Sequence, residues 1–332
     1  MSLLKKIITH KINFMIFIYV ALVITLLSSL IGYFGKYHWF LDLFAHFKMQ
    51  YFILTLCFLT ILIVAFFLRK RKKKNSKALI IFTILTCFTL LINFLEIFPL
   101  YVAPPSSASD NSAKKIIKLM HFNINTANNN YNQIENYILA NNPDIVLLEE
   151  VNSSCLLALK QLEKKYPFKI TYPQEDNFGI AMFSKFKMTS ANLLYYGSRK
   201  IPYIRAEYLI NGKNISIFGV HTLPPIGANL SKERNEMLAY LAKKIDSSQS
   251  TIILGDLNIS PFSYYFKKLL KDGNLTNSQC GFGLQTSWPA KLFLLRIPID
   301  HCLISNDIQI IDRKIGSNIG SDHNSLIISL KF

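Results

Sequence analysis

The chain has 332 residues, 51% of them apolar, and a formal net charge of +17. That length admits two domains, and the apolar residues crowd into the first hundred positions, which excludes one uniform globular domain. The odd count of five cysteines argues against a disulfide framework, and the lack of a CxxC pair or metal-ligand spacing against a zinc cluster; one disulfide among Cys155, Cys280 and Cys302 stays open.

Residues 12–34, 51–68 and 78–98 are long enough to cross a hydrocarbon core as helices and contain no Lys, Arg or Asp. A buried soluble bundle would need polar faces at helical period, which these stretches lack. The first run is too long for a cleaved signal peptide, and no small-x-small site closes it. Residues 1–100 are therefore expected to be a membrane anchor of three helices. Lys5, Lys6 and Lys11 precede the first helix and RKRKKKNSK (69–77) separates the second from the third, whereas the loop 35–50 holds only Lys36 and Lys48. Basic loops stay cytoplasmic, so everything after the third helix is expected outside the cytoplasm, in the periplasm of a multi-pass inner-membrane protein. The anchor holds 12 Lys and Arg against Asp42 and Glu96, a balance of +10; the remainder holds 25 basic and 18 acidic residues, or +7. More than half of the basicity is thus a topology signal, and the rest suits an anionic substrate or membrane surface.

A Pro- and Ser-rich stretch, PPSSASDNSAKK, makes 101–116 a linker, and 117–332 is long enough for one well-buried domain. Strand-length apolar runs follow: IIKLMHFNI, PDIVLLEEV, FGIAMFS, NISIFGVH, TIILGDLN, PIDHCLIS and SLIISL. Helical periodicity falls between them at 131–141, 153–164, 230–245 and 261–271. Strands alternating with helices, some strands following each other directly, indicate an α/β sandwich. The apolar stretch 281–298 is read as core strand and loop rather than as a lipid-facing segment.

Most of these runs end in chemistry. Asn123 follows an apolar strand and needs a partner if buried. Glu149 and Glu150 close the second run, and strand alternation lets one of them point inward. His221 follows FGV. In ILGDLN, Gly255 lets the backbone turn, and Asp256 and Asn258, two apart in an extended chain, share a face. Asp300 sits inside an apolar run, where an unpaired carboxylate is costly, and His323 is the candidate to pair with it. Asp322 and His323 stand before the terminal strand. Glu, Asp and Asn oxygens are the ligands that Mg²⁺ or Mn²⁺ prefers. With two imidazoles, and a carboxylate to orient one of them, they equip a site for in-line attack of water on a phosphate ester.

In order and spacing, HFNIN, PDIVLLEEV, FGIAMFSK, GVHTLPP, ILGDLNISPFS, IDHCLIS and GSDHNSL resemble the endonuclease/exonuclease/phosphatase family of metal-dependent phosphodiesterases, in a membrane-anchored bacterial branch. The resemblance covers 117–332 and implies a four-layered α/β sandwich, two packed mixed β-sheets flanked by helices. It implies Glu150 and Asp322 as metal-side carboxylates with Asn123 organising the site. Asp256 and Asn258 would position water and phosphate, His323 oriented by Asp300 would be the essential histidine, and His221 a general acid. Glu149 stands where the family usually has Gln. Arg205 and Arg296 are available as phosphate contacts. The expected activity is divalent-metal-dependent hydrolysis of a phosphodiester or phosphomonoester in nucleic acid, a small molecule or a lipid. The alternatives are a phospholipid or sphingomyelin phosphodiesterase and, in another class, an inactive membrane-bound binding module. No protein partner is implied.

Overall fold

The computed structural model describes residues 2–71, 77–103 and 115–332, with side chains for 14–68, 77–103 and 115–332. The chain divides into two compact units, Met1–Phe98 and Pro99–Phe332.

In the first unit α1 (Ser2–Ile31) runs into a 3-10 turn, Gly32–Phe34. A short α2 (Trp39–Leu43) and a 3-10 turn (Phe44–Phe47) lead into α3 (Lys48–Arg71), and α4 (Lys77–Ile97) follows. Phe14–Phe34, Trp39–Leu68 and Lys77–Tyr101 are three stretches long and apolar enough to cross a membrane. The second starts earlier than position 51 because the loop 35–50 folds into helical turns. Phe40 donates its backbone N–H to His38 Nδ1, which caps α2. Gly32 and Gly35 allow the close return of the chain: a Cβ would lie 2.8 Å from Ala45 N and 2.7 Å from Asp42 Oδ1, respectively. Lys48 is buried, donates to the Ser29 carbonyl at 2.8 Å and lies 3.9 Å over the Tyr33 ring. It is thus enclosed rather than solvated. Residues 72–76 of the basic run and 104–114 of the linker lie outside the described residues.

The second unit runs β1 (Ile116–Asn123), α5 (Tyr131–Asn141), β2 (Ile145–Glu149), α6 (Ser153–Ala158), α7 (Lys160–Lys165), β3 (Phe168–Tyr172), β4 (Ile180–Ser184), β5 (Ser190–Tyr196), β6 (Ile201–Ile210) and β7 (Lys213–Val220). It continues with α8 (Ala228–Lys244), β8 (Ser250–Asp256), α9 (Tyr264–Asp272), β9 (Leu275–Asn277), β10 (Asp300–Ser305), β11 (Gln309–Ile315) and β12 (Leu326–Lys331). Two six-stranded mixed sheets result, ordered β11-β12-β1-β2-β4-β3 and β5-β6-β7-β8-β10-β9. Each has one parallel pair at its centre, β1 with β2 and β7 with β8, and antiparallel neighbours outside. A parallel pair needs a crossover, supplied by α5 and by α8, so both partners deliver their C-terminal ends to the same edge.

The strands alternate between two apolar faces. Leu119, Leu147, Met182, Ile217, Ile252, Leu254 and Ile328 pack between the sheets. Met120, Val146 and Leu148 face outward onto Ile134, Ile138 and Leu162 of α5 and α7. On the other side Phe218 and Ile253 face Leu238 and Leu241 of α8 and Phe266 of α9. Helices cover both outer faces, as the four-layered expectation requires.

Five strands lack the apolar runs sought in the sequence. Four of them, β3, β5, β9 and β11, are the sheet edges; in β3, β5 and β11 half-exposed side chains dilute the signal, and β9 is only three residues long. The fifth, β6, lies next to an edge and carries Arg205 and Glu207. The helix expected at 153–164 breaks at the buried Leu159, where ψ is 44°. The stretch 281–298 is not core strand: an isolated bridge joins Trp288 to Ile297, and Leu292–Leu295 are exposed. All five cysteines are free.

Candidate active site

The inter-sheet rows change character at one end of the sandwich. In β1 the inward row Leu119, His121, Asn123 turns from apolar to polar; β2 does so through Leu147 to Glu149, β8 through Ile252 and Leu254 to Asp256, and β7 through Ile217 to His221 just past its end. Asp300 heads the row of Cys302 and Ile304 in β10, which runs antiparallel to β8 and sets Asp300 opposite Asp256. Parity alone gathers five strands' polar groups at the edge where both parallel pairs end.

Asp256 is the centre. Its Oδ2 lies 3.4 Å from Asn123 Nδ2, 3.6 Å from His323 Nε2 and 3.8 Å from His221 Nε2. His323 Nδ1 is 3.0 Å from Asp300 Oδ2, which orients the ring as expected. Burial opposes a charge on His323, yet the Asp300 and Asp256 carboxylates raise its imidazole to about 10. Burial likewise disfavours ionised Asp300, but His323 and His121 outweigh it and hold that carboxyl below the usual range. Burial pushes Asp256 up to about 7, with Asp300 adding to the effect and His323 opposing it. Two neighbouring carboxyls are thus driven in opposite directions, the pattern of a site that divides acid and base roles.

Beneath these groups lies a pair that the sequence reading did not assign. Glu149 is fully buried, its Oε2 2.9 Å from His121 Nε2 and accepting the Asp256 backbone N–H at 3.1 Å. His121 Nδ1 faces Asp300 Oδ1 at 3.4 Å. Although burial works against it, Glu149 and Asp300 keep the His121 imidazole basic. Glu149 is therefore closed off from solvent and pairs with His121, in a buried chain of acids and imidazoles running through Asp300 to His323. Gly255 is needed here within strand β8, not at a turn: its φ is 146°, and a Cβ would meet the Val220 carbonyl at 2.1 Å and Glu149 Oε1 at 2.5 Å.

Glu150 follows the strand in a left-handed conformation (φ 58°), which breaks the alternation and lets both glutamates serve the site. It accepts from Asn123 Nδ2 at 3.0 Å and from the Thr126 backbone at 3.1 Å. Asn258 is also left-handed (φ 48°), so the extended-chain reason for its sharing a face with Asp256 does not hold. An Asx turn links the two instead: Asn258 N–H donates to Asp256 Oδ1 at 2.8 Å, and its amide donates to the Thr222 carbonyl at 2.8 Å. The buried Arg234 of α8 holds the Asn258 carbonyl at 2.8 Å. Asp322 accepts from Asn125 Nδ2 at 2.6 Å and from Trp288 Nε1 at 3.0 Å. Ser321 fixes the turn between Asp322 and β1, donating to the Asn123 carbonyl and accepting from the His323 backbone.

Arg205 is not brought to this cluster; it pairs with Glu207 at 2.8 Å in the middle of β6. Arg296 donates to the Ala290 carbonyl and lines a groove with Lys314 and Asn324. Glu150 and Asp322 are each held by an asparagine amide just past the end of β1, Glu150 by Asn123 and Asp322 by Asn125. Among the described residues, the acidic and imidazole groups whose ligand atoms lie within 4.8 Å of one another are Asp256, Asp300 and His323.

Two packed sheets with central parallel pairs, and acids and imidazoles gathered where those pairs end, define an α/β sandwich of the phosphodiesterase/nuclease type. Residues 120–323 match the Endonuclease/Exonuclease/phosphatase family, and the chain belongs to it, as its motifs suggest. Among solved structures, TDP2 of D. rerio, complexed with a single-strand DNA product, is 14% identical with a TM-score of 0.55, over 66% of this chain and 100% of that one. A family protein from Bacteroides thetaiotaomicron is 15% identical with a TM-score of 0.55, over 66% and 98%. Another from Leptotrichia buccalis is 12% identical with a TM-score of 0.53, over 65% and 100%. These likenesses concern the fold. No curated protein matches the sequence.

Proposed function

We propose that the chain is a membrane-anchored, divalent-metal-dependent phosphodiesterase whose domain acts outside the cytoplasm, with nucleic acid as the first substrate class. The observation that carries this is the convergence of Asn123, His221 and His323 on one oxygen of Asp256, with Asp300 behind His323. Asp256, its carboxyl raised to about 7, accepts a proton from the attacking water at neutral pH. Asn258 positions that water and the phosphate. Cationic His323, held by Asp300, stabilises charge developing on the phosphoryl oxygens. His221 delivers a proton to the leaving oxygen. Glu150, Asp322 and Asn123 would hold Mg²⁺ or Mn²⁺, which supplies further charge neutralisation at the phosphate. Arg296 is the candidate phosphate contact, while Arg205 is committed to Glu207. The DNA product bound by D. rerio TDP2 supports nucleic acid as substrate; the exposed Leu292–Leu295 favours a phospholipid as the second reading. The three long apolar helices support the anchor, and the basic 69–77 run supports the outside assignment.

The test is hydrolysis of bis-p-nitrophenyl phosphate, plasmid DNA and phospholipid vesicles by the full chain with Mg²⁺ or Mn²⁺. His323→Ala and Asp256→Ala should each lower kcat by about a hundredfold to ten-thousandfold, and a chelator should abolish turnover. Activity that survives both substitutions would refute the assignment. A folded chain that binds no Mn²⁺ and turns over none of the substrates would favour the binding-module reading.

A further inference from the structure

The loop between Trp288 and Ile297 ends in a 3-10 turn, Phe293–Leu295. Leu292, Phe293, Leu294 and Leu295 are 55, 74, 77 and 52% exposed. Single exposed apolar residues are ordinary, but four consecutive large ones on one tip form a patch that is costly to leave in water. Lys291 and Arg296 flank the tip, and no acidic residue occurs between Asp272 and Asp300. Beside it, Arg296 and Lys314 line a groove of about 520 Å³. Ile226, 74% exposed, stands at the same end of the sheets in the loop after β7.

The base of this loop is tied to the site. Trp288 Nε1 donates to Asp322 Oδ2 at 3.0 Å, and Ala290 N–H donates to the Asp322 carbonyl at 2.7 Å. An apolar tip between basic residues matches a bilayer surface, with Leu and Phe among the acyl chains and Lys and Arg at anionic headgroups.

We propose that Lys291–Arg296 is a membrane-seating loop that dips Leu292–Leu295 into an anionic lipid surface and holds the Asp322 side of the site at headgroup level. The loop acts on the bilayer that the first unit anchors, so it rests on the anchoring proposed above.

The experiment uses the full chain carrying Phe293→Trp, in vesicles of phosphatidylglycerol and phosphatidylethanolamine with bromine on the upper acyl chain. Relative to the wild-type chain, the added tryptophan emission should shift to the blue, lose most of its intensity to brominated lipid and resist iodide. Leu294→Trp repeats the measurement should the first variant fold poorly. Emission quenched by iodide and untouched by bromine in both variants would overturn the proposal. Equal quenching in vesicles of phosphatidylcholine alone would overturn its anionic-headgroup part. A chain that does not float with the vesicles would overturn the anchoring, and the proposal with it; because flotation needs no catalysis, this failure is separate from any absence of hydrolysis.

Discussion

At the scale of single residues, the site is a problem of buried charge. Glu149, His121, Asp300 and His323 alternate in sign, and each is almost wholly enclosed. Removing one member strands its neighbours without solvation, so His121→Ala should destabilise the fold by about 3–5 kcal/mol. Adding Glu149→Gln should recover part of that loss by removing the stranded charge. Thermal unfolding of the solubilised chain checks this, and a single variant as stable as the wild type would contradict the buried pair. His323 gives a pH signature. Its imidazole is raised to about 10 when folded and titrates near about 6.5 when unfolded. The folded state therefore keeps a proton that the unfolded state releases: the stabilisation is complete below about pH 6.5 and lost as pH rises toward 10. Asp256, raised to about 7, works in the same direction at lower pH. With a chelator present, the melting temperature should fall across this range, and His323→Gln should flatten the slope; a rise with pH would contradict it.

At the scale of elements, much of the domain was legible. Seven strands with apolar runs and three of the four expected helices stand near where the pattern puts them, because a buried central strand must be apolar on both faces. Edge strands β3, β5 and β11 escaped because one face meets water, and β9 because three residues carry no periodicity. Parity held more than was drawn from it: His121 shares the row of Leu119 and Asn123, and Glu149 that of Leu147, so both could have been placed inside from sequence. Trp288 could not. It lies far from Asp322 in sequence and reaches it because a bridged loop folds back beside the last turn. Trp288→Phe keeps the packing and removes one hydrogen bond to that carboxylate, so Mn²⁺ affinity should fall by about tenfold to a hundredfold. Calorimetric titration reads this, and unchanged affinity would remove Asp322 from the metal side.

At the scale of the whole molecule, an acid- and imidazole-lined site shares a chain with three long apolar helices. The charge asymmetry of the loops predicts that a reporter fused after Phe332 works outside the cytoplasm and fails inside it; a reporter active only in the cytoplasm would reverse the topology. By itself the sequence determined the apolar helices, the α/β class, the family and the polar residues at strand ends, since hydropathy, periodicity and motif order are local properties of the chain. The tertiary structure decided that Glu149 is buried against His121, that Asn258 is held by an Asx turn and Arg234, that Arg205 is committed to Glu207 and that Leu292–Leu295 face outward. Each of these depends on which distant segments meet across the sheets, and that is set by strand pairing and packing rather than by any local pattern.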